Sequence, residues 1–172
     1  MTRTKLVSVL LAAGAILALA ACGGADSHPT AAAKPMTSGG GAATVGVADN
    51  GKLGKILVDS NGRTVYLFQK DSGPRSMCSG ACATDWPPVT ATGKPSAGNG
   101  LSASVLGTTK RSDGTTQVTY NGHPLYLYVG DRKAGDTNGQ NVDAFGARWY
   151  AVSASGSANT SGGSSSGRGY SY

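Results

Sequence analysis

The chain has 172 residues, of which 27 are glycine, and aromatic residues make up only 6% of it. This length allows one or two small domains, and this composition leaves only part of the chain able to bury a core. The formal net charge of +6 is too small and too scattered to indicate a nucleic-acid-binding surface, so we expect no nucleic acid among the partners.

The first 21 residues have the organisation of a bacterial export signal. Arg3 and Lys5 precede an apolar run of sixteen residues, Leu6 to Ala21, which only Ser8 interrupts. This run is shorter than the ~20 residues that span a bilayer, which argues against the alternative of an uncleaved signal anchor. We predict a lipoprotein signal peptide over residues 1–21. Its removal takes away two cations and no acid, so a net charge near +4 remains.

The apolar run ends in Leu19-Ala20-Ala21-Cys22, which resembles the bacterial lipobox. The resemblance implies that Cys22 is lipidated on sulfur, with palmitate as a typical acyl chain, and becomes the new N-terminus. Two or more acyl chains hold a protein stably at a membrane surface. We therefore expect an exported protein that is anchored through Cys22 to the cell membrane and faces away from the cytoplasm.

Two segments without apolar periodicity flank the predicted domain. Residues 22–41 are rich in Gly, Ala, Ser, Thr and Pro and predict a flexible tether, in which His28 is a solvated side chain. Residues 153–172 form a Gly/Ser-rich segment that predicts a disordered tail. The folded domain is therefore predicted over residues 42–152.

One fourteen-residue stretch occurs twice. Val58 to Asp71 reads VDSNGRTVYLFQKD, and sixty positions later Val118 to Asp131 reads VTYNGHPLYLYVGD. Each copy holds an Asn-Gly pair between apolar runs. This is the strongest short-range signal of a β-hairpin with a type I′ turn, which needs positive φ at both central residues. We predict one such hairpin in each copy.

Short β-like runs flank both hairpins, and each unit closes on a tryptophan segment. These segments are WPPV at residues 86–89 and WYAV at residues 149–152. No segment shows a helical period longer than about ten residues. We predict an all-β fold of about eight short strands. They form two tandem four-stranded units, residues 42–95 and 102–152, packed as one small domain.

The second strand of each hairpin is apolar on both faces. Because side chains alternate along a strand, Val65 and Leu67 share one face while Tyr66 and Phe68 share the other. Either the aromatic residues are core, which we favour because cross-strand aromatic pairs stabilise sheets, or the aromatic face is a contact surface. That possible binding surface comprises Tyr66, Phe68, Asp71, Tyr126, Tyr128 and Asp131.

The strands at residues 66–71 and 126–131 share the pattern Tyr-x-(Phe/Trp/Tyr)-x-x-Asp. With the lipobox and the Trp-Pro-Pro segment, this pattern resembles that of the bacterial secreted-repeat lipoproteins. The resemblance implies export and lipid anchoring. It implies no chemistry, because the function of that family is uncharacterised. An association of the family with alkane catabolism finds no support in the residues of this chain.

The two cysteines downstream of the lipobox, Cys78 and Cys82, have C-x3-C spacing. In an oxidising compartment a pair this close most simply forms a disulfide. The alternative is a copper-binding or thiol-redox site to which Met77 and His123 would add ligands. Envelope copper-delivery proteins with this spacing have a proline where Ala83 stands, and a thioredoxin-like pattern that is absent here. We therefore favour the disulfide and expect no cofactor or metal.

The aspartates Asp71 and Asp131 end the repeated pattern in both copies. An aspartate just past a strand ordinarily caps nearby backbone N–H groups, and a catalytic pair of carboxylates is the alternative. The sequence contains no nucleophile elbow, P-loop, dinucleotide-binding fingerprint or zincin motif. We therefore predict a non-enzymatic envelope module that binds a small ligand or an envelope protein.

Overall fold

A computed structural model of the protein describes residues 42–161. Within these residues the predicted all-β fold is confirmed, with nine short strands, one five-residue helix and one 3₁₀ turn. In chain order these elements are β1 (Thr44–Asn50), β2 (Gly54–Asp59), β3 (Tyr66–Phe68), α1 (Ala81–Asp85), β4 (Ser96–Ala97), the 3₁₀ turn (Ala103–Val105), β5 (Leu106–Lys110), β6 (Thr116–Tyr120), β7 (His123–Pro124), β8 (Val142–Ala144) and β9 (Ala147–Ala151).

The predicted signal peptide, the tether with Cys22 and His28, and residues 162–172 of the predicted tail lie outside the described residues. No helix within residues 42–161 is long and apolar enough to cross a membrane.

The strands form three three-stranded sheets, with the orders β2-β1-β4, β3-β9-β8 and β5-β6-β7. Neighbouring strands are antiparallel except for β1 and β4, which are parallel. The sheet β3-β9-β8 joins a strand of the first repeat to two strands of the second. The sequence predicts two successive four-stranded units, whereas the structure shows that the repeats share strands.

The tryptophan segment that ends each repeat pairs with the hairpin of the other repeat. The N–H of Val89 donates to Leu125 O at 2.8 Å, and Val89 O accepts from the N–H of Val118 at 2.7 Å. The corresponding bonds of the second segment run from Leu57 N to Val152 O, 2.8 Å, and from Val152 N to Val65 O, 3.0 Å. We call residues 86–89 and 149–152 the exchanged segments. Because of them, neither repeat completes its own set of strands.

The two repeats meet at a pair of equivalent tyrosines. Tyr66 and Tyr126 form an antiparallel bridge in which each backbone N–H donates to the carbonyl of the other residue, at 2.8 and 2.9 Å. Because these residues hold the same position in the two copies, the bridge lies on an approximate twofold axis that relates the repeats.

The second Asn-Gly turn has the predicted geometry. Asn121 and Gly122 have φ values of 47° and 80°, and the flanking residues Tyr120 and His123 are paired. Both central residues are therefore left-handed, as a two-residue type I′ loop requires.

The first Asn-Gly turn differs from the prediction. Gly62 has the expected positive φ of 74°, but Asn61 does not have a positive φ. The loop has three residues, because Asp59 N–H donates to Arg63 O at 2.9 Å. The cause is the Asp59 carboxylate, which accepts the N–H groups of Asn61 and Arg63 and pairs with the Arg63 guanidinium at 2.6 Å. The prediction of a type I′ turn is wrong here.

This longer loop shifts the correspondence between the repeats. After the turns, equivalent residues are sixty positions apart, as Val65 and Leu125 show. Before the turns they are sixty-one apart, because the N–H of Val65 donates to Leu57 O and the N–H of Leu125 donates to Val118 O, both at 3.0 Å. An alignment of the two copies therefore needs a one-residue gap at the turn.

The core has two layers, as the alternating side chains of β3 predict. Val65 and Leu67 point into a cluster of aliphatic side chains, whereas Tyr66 and Phe68 point into a second cluster that holds the tryptophans and the disulfide. The strand is thus covered on both faces. This is why an apolar sequence without polar alternation forms a strand here.

The domain continues past its predicted end at Val152. Val152 bridges to Ala158, and the buried Asn159 donates its side-chain amide to Leu53 O at 2.7 Å. Gln140 donates to Asn159 O at 2.6 Å. Residues 153–161 are therefore part of the folded domain. Their Gly, Ser and Ala composition hides this, because they are held mainly by hydrogen bonds, with Ala158 as their one apolar side chain packed against the aliphatic core.

The turn geometry leads to a prediction for Gly122→Val. No atom lies within 4 Å of a Cβ placed at Gly122, so the cost comes only from its φ of 80°. A β-branched residue is strained there, and we expect the free energy of unfolding to fall by about 1–2 kcal/mol. Chemical denaturation measures this change. Gly93→Val is the matched control. A Cβ at Gly93 also has no atom within 4 Å, but the φ of Gly93 is not positive, so the same side chain is added without strain. Equal stability of the two variants would contradict the hairpin assignment.

Candidate binding site

Each motif tyrosine reaches the motif aspartate of the other repeat. The Tyr66 hydroxyl donates to Asp131 Oδ2 at 2.7 Å, and the Tyr126 hydroxyl donates to Asp71 Oδ2 at 2.8 Å. The five-residue spacing within the motif carries each aspartate past the end of its strand, where it meets the tyrosine that comes across the twofold axis. The motif therefore describes a contact between repeats.

The second oxygen of each carboxylate holds the loop that follows it. Asp71 Oδ1 accepts the N–H of Met77 at 2.7 Å, and Asp131 Oδ1 accepts the N–H of Asn138 at 2.8 Å. Because the same bonds occur in both copies, these aspartates have a structural role, and we assign no chemistry to them.

The tyrosine carries the proton in each pair, because its ordinary pKa of 10.0 lies far above the 3.8 of an aspartate and the surroundings do not reverse that order. Burial raises the pKa values of Tyr66 and Tyr126, and the charge of the facing carboxylate raises them further. Burial also raises the pKa values of Asp71 and Asp131, and hydrogen bonds to the carboxylates oppose that rise. The tyrosines therefore remain the donors and the aspartates the acceptors.

Four aromatic rings stack beside these bonds, in the order Phe68, Trp149, Trp86, Tyr128. Their successive centroids lie 4.1, 4.0 and 4.2 Å apart. Each motif tyrosine meets one of the tryptophans edge-on. We call this the aromatic stack. It fills the centre of the second core layer, where each exchanged segment inserts its tryptophan.

The motif residues do not form a binding surface. Tyr66, Phe68, Tyr126 and Asp131 are buried, and Asp71 and Tyr128 are half-buried. The contact-surface alternative is therefore wrong, because the exchanged segments cover the aromatic face. The interpretation that the aromatic residues are core is correct.

The predicted disulfide between Cys78 and Cys82 is present, with Cα atoms 5.2 Å apart. Both cysteines are buried. In this form they offer copper no thiolate, while Met77 and His123, the other ligands of the copper alternative, are exposed. No three His, Cys, Asp or Glu side chains are grouped to hold a metal in the described part of the chain.

The two repeats differ chemically next to the disulfide. Gln117 and Ile56 are equivalent, because each bridges the residue that follows the exchanged segment of the other repeat. Six residues before them, Arg111 takes the place of Asn50. Gln117 and Arg111 are both buried. Next to the disulfide, the two side chains are therefore the guanidinium of Arg111 and the amide of Gln117. At the equivalent positions of the first repeat they are the amide of Asn50 and the hydrocarbon side chain of Ile56.

The Arg111 side chain is only 2% exposed and joins the disulfide loop to the second hairpin. Nη1 donates to Ser76 Oγ at 2.8 Å and to Gln117 Oε1 at 2.7 Å. Nη2 donates to the carbonyl of Cys78 at 2.7 Å, and Nε pairs with Asp113 at 3.1 Å. The buried charge is therefore well supplied with acceptors.

This network continues to the motif carboxylate. Ser76 Oγ, which accepts from Arg111, also lies 2.8 Å from the Tyr126 hydroxyl, and that hydroxyl donates to Asp71. The positive charge of Arg111 opposes the rise that burial causes in the pKa of Asp71. The structural contact between repeats and the residues around Arg111 are thus one hydrogen-bonded system.

A cleft of about 440 Å³ opens over this system, and we call it the Arg111 cleft. Three of its lining side chains are cationic, three carry hydroxyl groups, and none carries a carboxylate. The lining residues are Arg75, Ser76, Met77, Ser79, Lys110, Arg111 and Ser112. Such a set of donors is suited to a negatively charged group that accepts hydrogen bonds.

Sequence reasoning missed Arg111, Gln117 and Ser76. A signal was available, because a one-residue gap between the copies places Arg111 and Gln117 opposite Asn50 and Ile56. The ungapped repeat hides this difference. Within the sequence, the gap is indicated only by Asp59, whose carboxylate stabilises the longer loop at the Asn61-Gly62 turn.

A family model described as a secreted repeat of unknown function matches the chain twice, over residues 47–90 and 107–153. Together the two matches cover more than half of the chain. Each match contains one Asn-Gly turn and ends one residue after an exchanged segment. No curated protein and no solved structure matches the chain.

The buried carboxylates lead to a prediction about pH. Burial raises the native pKa of Asp131 above its ordinary value of 3.8. Its contribution to stability is therefore fully present below that value and is lost as the pH rises through the native pKa. We expect the free energy of unfolding of the wild type to fall, relative to that of Asp131→Asn, as the pH rises above 3.8. Denaturant titrations at several pH values measure this, with the exposed Asp143→Asn as control. Parallel curves for wild type and Asp131→Asn would contradict it.

Proposed function

Because the chain belongs to a family of secreted repeats of unknown function, we propose that it is an exported, lipid-anchored binding module of the cell envelope. In this proposal Cys22 carries the lipid, the domain is not an enzyme, and its ligand occupies the Arg111 cleft. The ligand is a small molecule or a group on another envelope component.

One observation carries the proposal, namely that a buried guanidinium and an amide, Arg111 and Gln117, stand where the first repeat has an amide and a hydrocarbon side chain, Asn50 and Ile56. Burying a guanidinium costs free energy unless every donor finds a partner. The first repeat, with Ile56 and Asn50, builds the same fold without that cost. Around Arg111, the second repeat provides Gln117 as an acceptor, and the disulfide loop of the first repeat provides Ser76 and the carbonyl of Cys78. Proteins tend to keep residues that are unfavourable for folding, such as a buried charge, at functional sites.

The side chains around the cleft support binding and not catalysis. Ser76, the hydroxyl nearest the network, contacts Arg111 and Tyr126. A guanidinium and a phenol with a raised pKa do not take a proton from a serine. The lining residues include no histidine, carboxylate or free thiol that would serve as a general base.

The anchor is tested by Cys22→Ala. Without the sulfur no lipid can be attached, so we expect the protein to be absent from the processed, membrane-bound fraction. It should appear either as the unprocessed precursor or in the soluble fraction. Cell fractionation with intact mass spectrometry measures this. An unlipidated wild type that remains at the membrane would contradict the anchor.

The cleft is tested with the unlipidated chain, from residue 22 onward with Cys22→Ala, added to isolated cell envelopes. Arg75→Glu changes an exposed side chain, so the fold should be kept, and we expect it to weaken sedimentation with the envelopes at least tenfold. Lys52→Glu makes the same change of charge in the turn between β1 and β2, outside the cleft lining, and serves as control. Equal binding by both variants and the parent protein would overturn the role of the Arg111 cleft.

A further inference from the structure

We propose that the Arg111 cleft binds a phosphate group, carried either by a membrane lipid or by a soluble phosphate ester. This inference rests on the proposed function, because it names the chemical class of ligand for the same site. The side chains that line the cleft carry positive charges that the twofold-equivalent residues lack.

The equivalent positions can be identified from matching hydrogen bonds. Met77 and Asn138 each donate a backbone N–H to the motif aspartate of their own repeat. Two residues earlier, Arg75 and Asp136 each donate a backbone N–H to the carbonyl three residues before, at 3.1 and 3.2 Å. Arg75 of the cleft therefore corresponds to Asp136.

The same comparison applies to the hairpin side of the cleft. Lys110 pairs with Thr116 in one hairpin as Asp49 pairs with Lys55 in the other, so Lys110 corresponds to Asp49. Arg111 corresponds to Asn50. At all three positions the cleft holds a cation where the twofold-equivalent position holds an acid or a neutral amide. The fold therefore does not require these positive charges.

Two of the three cations have no counter-charge in the domain. The ion pairs within residues 42–161 are Arg63 with Asp59 and Arg111 with Asp113, so neither Arg75 nor Lys110 takes part in one. Mutual repulsion of close cations is unfavourable, and an anion between them relieves it. The Arg111 side chain is almost fully buried and pairs with Asp113, so it supports the cleft from below rather than contacting the anion. Arg75 and Lys110 are exposed; Lys110 Nζ donates to Thr116 Oγ1 at 2.8 Å and has two further N–H donors for an anion.

The donor set favours phosphate over a carboxylate. The planar guanidinium of Arg75 matches two phosphate oxygens, and the ammonium of Lys110 adds a point charge. The exposed hydroxyls of Ser79 and Ser112 provide neutral donors for further oxygens. A tetrahedral group with three or four oxygen acceptors uses such a set more completely than a planar carboxylate with two.

The cleft is larger than one phosphate, so part of the molecule that carries the phosphate would fit as well. Met77, at the rim, is 44% exposed and is the one exposed large hydrophobic side chain among residues 42–161. Its thioether offers an apolar contact to the carbon skeleton next to the phosphate. Both a lipid headgroup and a soluble phosphate ester have this combination.

The test uses the unlipidated Cys22→Ala chain with inorganic phosphate as the probe, followed by calorimetry or by NMR of the backbone amides. We expect saturable binding that shifts amides at residues 75–79 and 110–112. The Arg75→Ala/Lys110→Ala variant should weaken it at least tenfold. Lys52→Ala/Lys133→Ala removes two exposed lysines, one from each repeat, that do not line the cleft, and should leave the binding unchanged. Binding that both pairs reduce equally, or acetate binding as tight as phosphate binding, would mean an adventitious ion only and would overturn the inference.

Vesicles distinguish the two sources of phosphate. If binding to phosphatidylglycerol vesicles exceeds binding to phosphatidylcholine vesicles and is lost in Arg75→Ala/Lys110→Ala, the source is a lipid headgroup. If free phosphate binds and vesicles do not, the source is a soluble ester. Failure of phosphate to bind, or to compete with cleft-dependent binding to envelopes, overturns the phosphate assignment and leaves the proposed function standing. Loss of the cleft dependence itself overturns the proposed function.

Discussion

Two tyrosine hydroxyls cross the boundary between the repeats, and each ends on the aspartate that closes the motif of the other copy. The rest of the domain depends on this reciprocal pair. It fixes the twofold axis, sets the distance at which the aromatic rings stack, and ties down the loop that follows each motif. Tyr66, Tyr126 and Asp131 are buried, and Asp71 is half-buried. An unpaired partner would therefore leave a buried polar group unsatisfied, which costs more than an ordinary hydrogen bond contributes.

Because the two repeats are related by approximate twofold symmetry, comparing equivalent residues distinguishes those that the fold needs from those that serve another purpose. Whatever occurs in both repeats, such as the tyrosine–aspartate bonds and the stacked tryptophans, is explained by the need to hold the repeats together. Arg111, Gln117 and the disulfide occur on one side only. Where equivalent positions differ, the simpler one shows what the fold needs at a minimum. The additional groups come from both repeats and meet at the cleft.

Local patterns predicted the fold class and failed at the contacts between repeats. Alternation in residues 65–68 indicated a strand covered on both faces, and the Asn-Gly pairs located both turns. Nothing in the residues around Trp86 or Trp149 indicates which hairpin they join, because both hairpins present nearly identical edges. The difference between Arg111 and Asn50 was hidden because the first hairpin loop has one extra residue, so that an ungapped comparison of the repeats does not align them. The carboxylate of Asp59 stabilises that longer loop. Long-range pairing and a single-residue gap leave little trace in the periodicity of a sequence.

The exchanged segments have a consequence for how such chains are assembled. A protein with a single repeat would lack the strand that completes its hairpin and would have to obtain it from a second molecule, in the manner of a domain-swapped dimer. Joining two copies in one chain turns that association into an intramolecular one and removes its dependence on concentration. The unit of folding in this architecture is therefore the pair. We expect chains built from these repeats to contain an even number of them, or to complete an odd one by association.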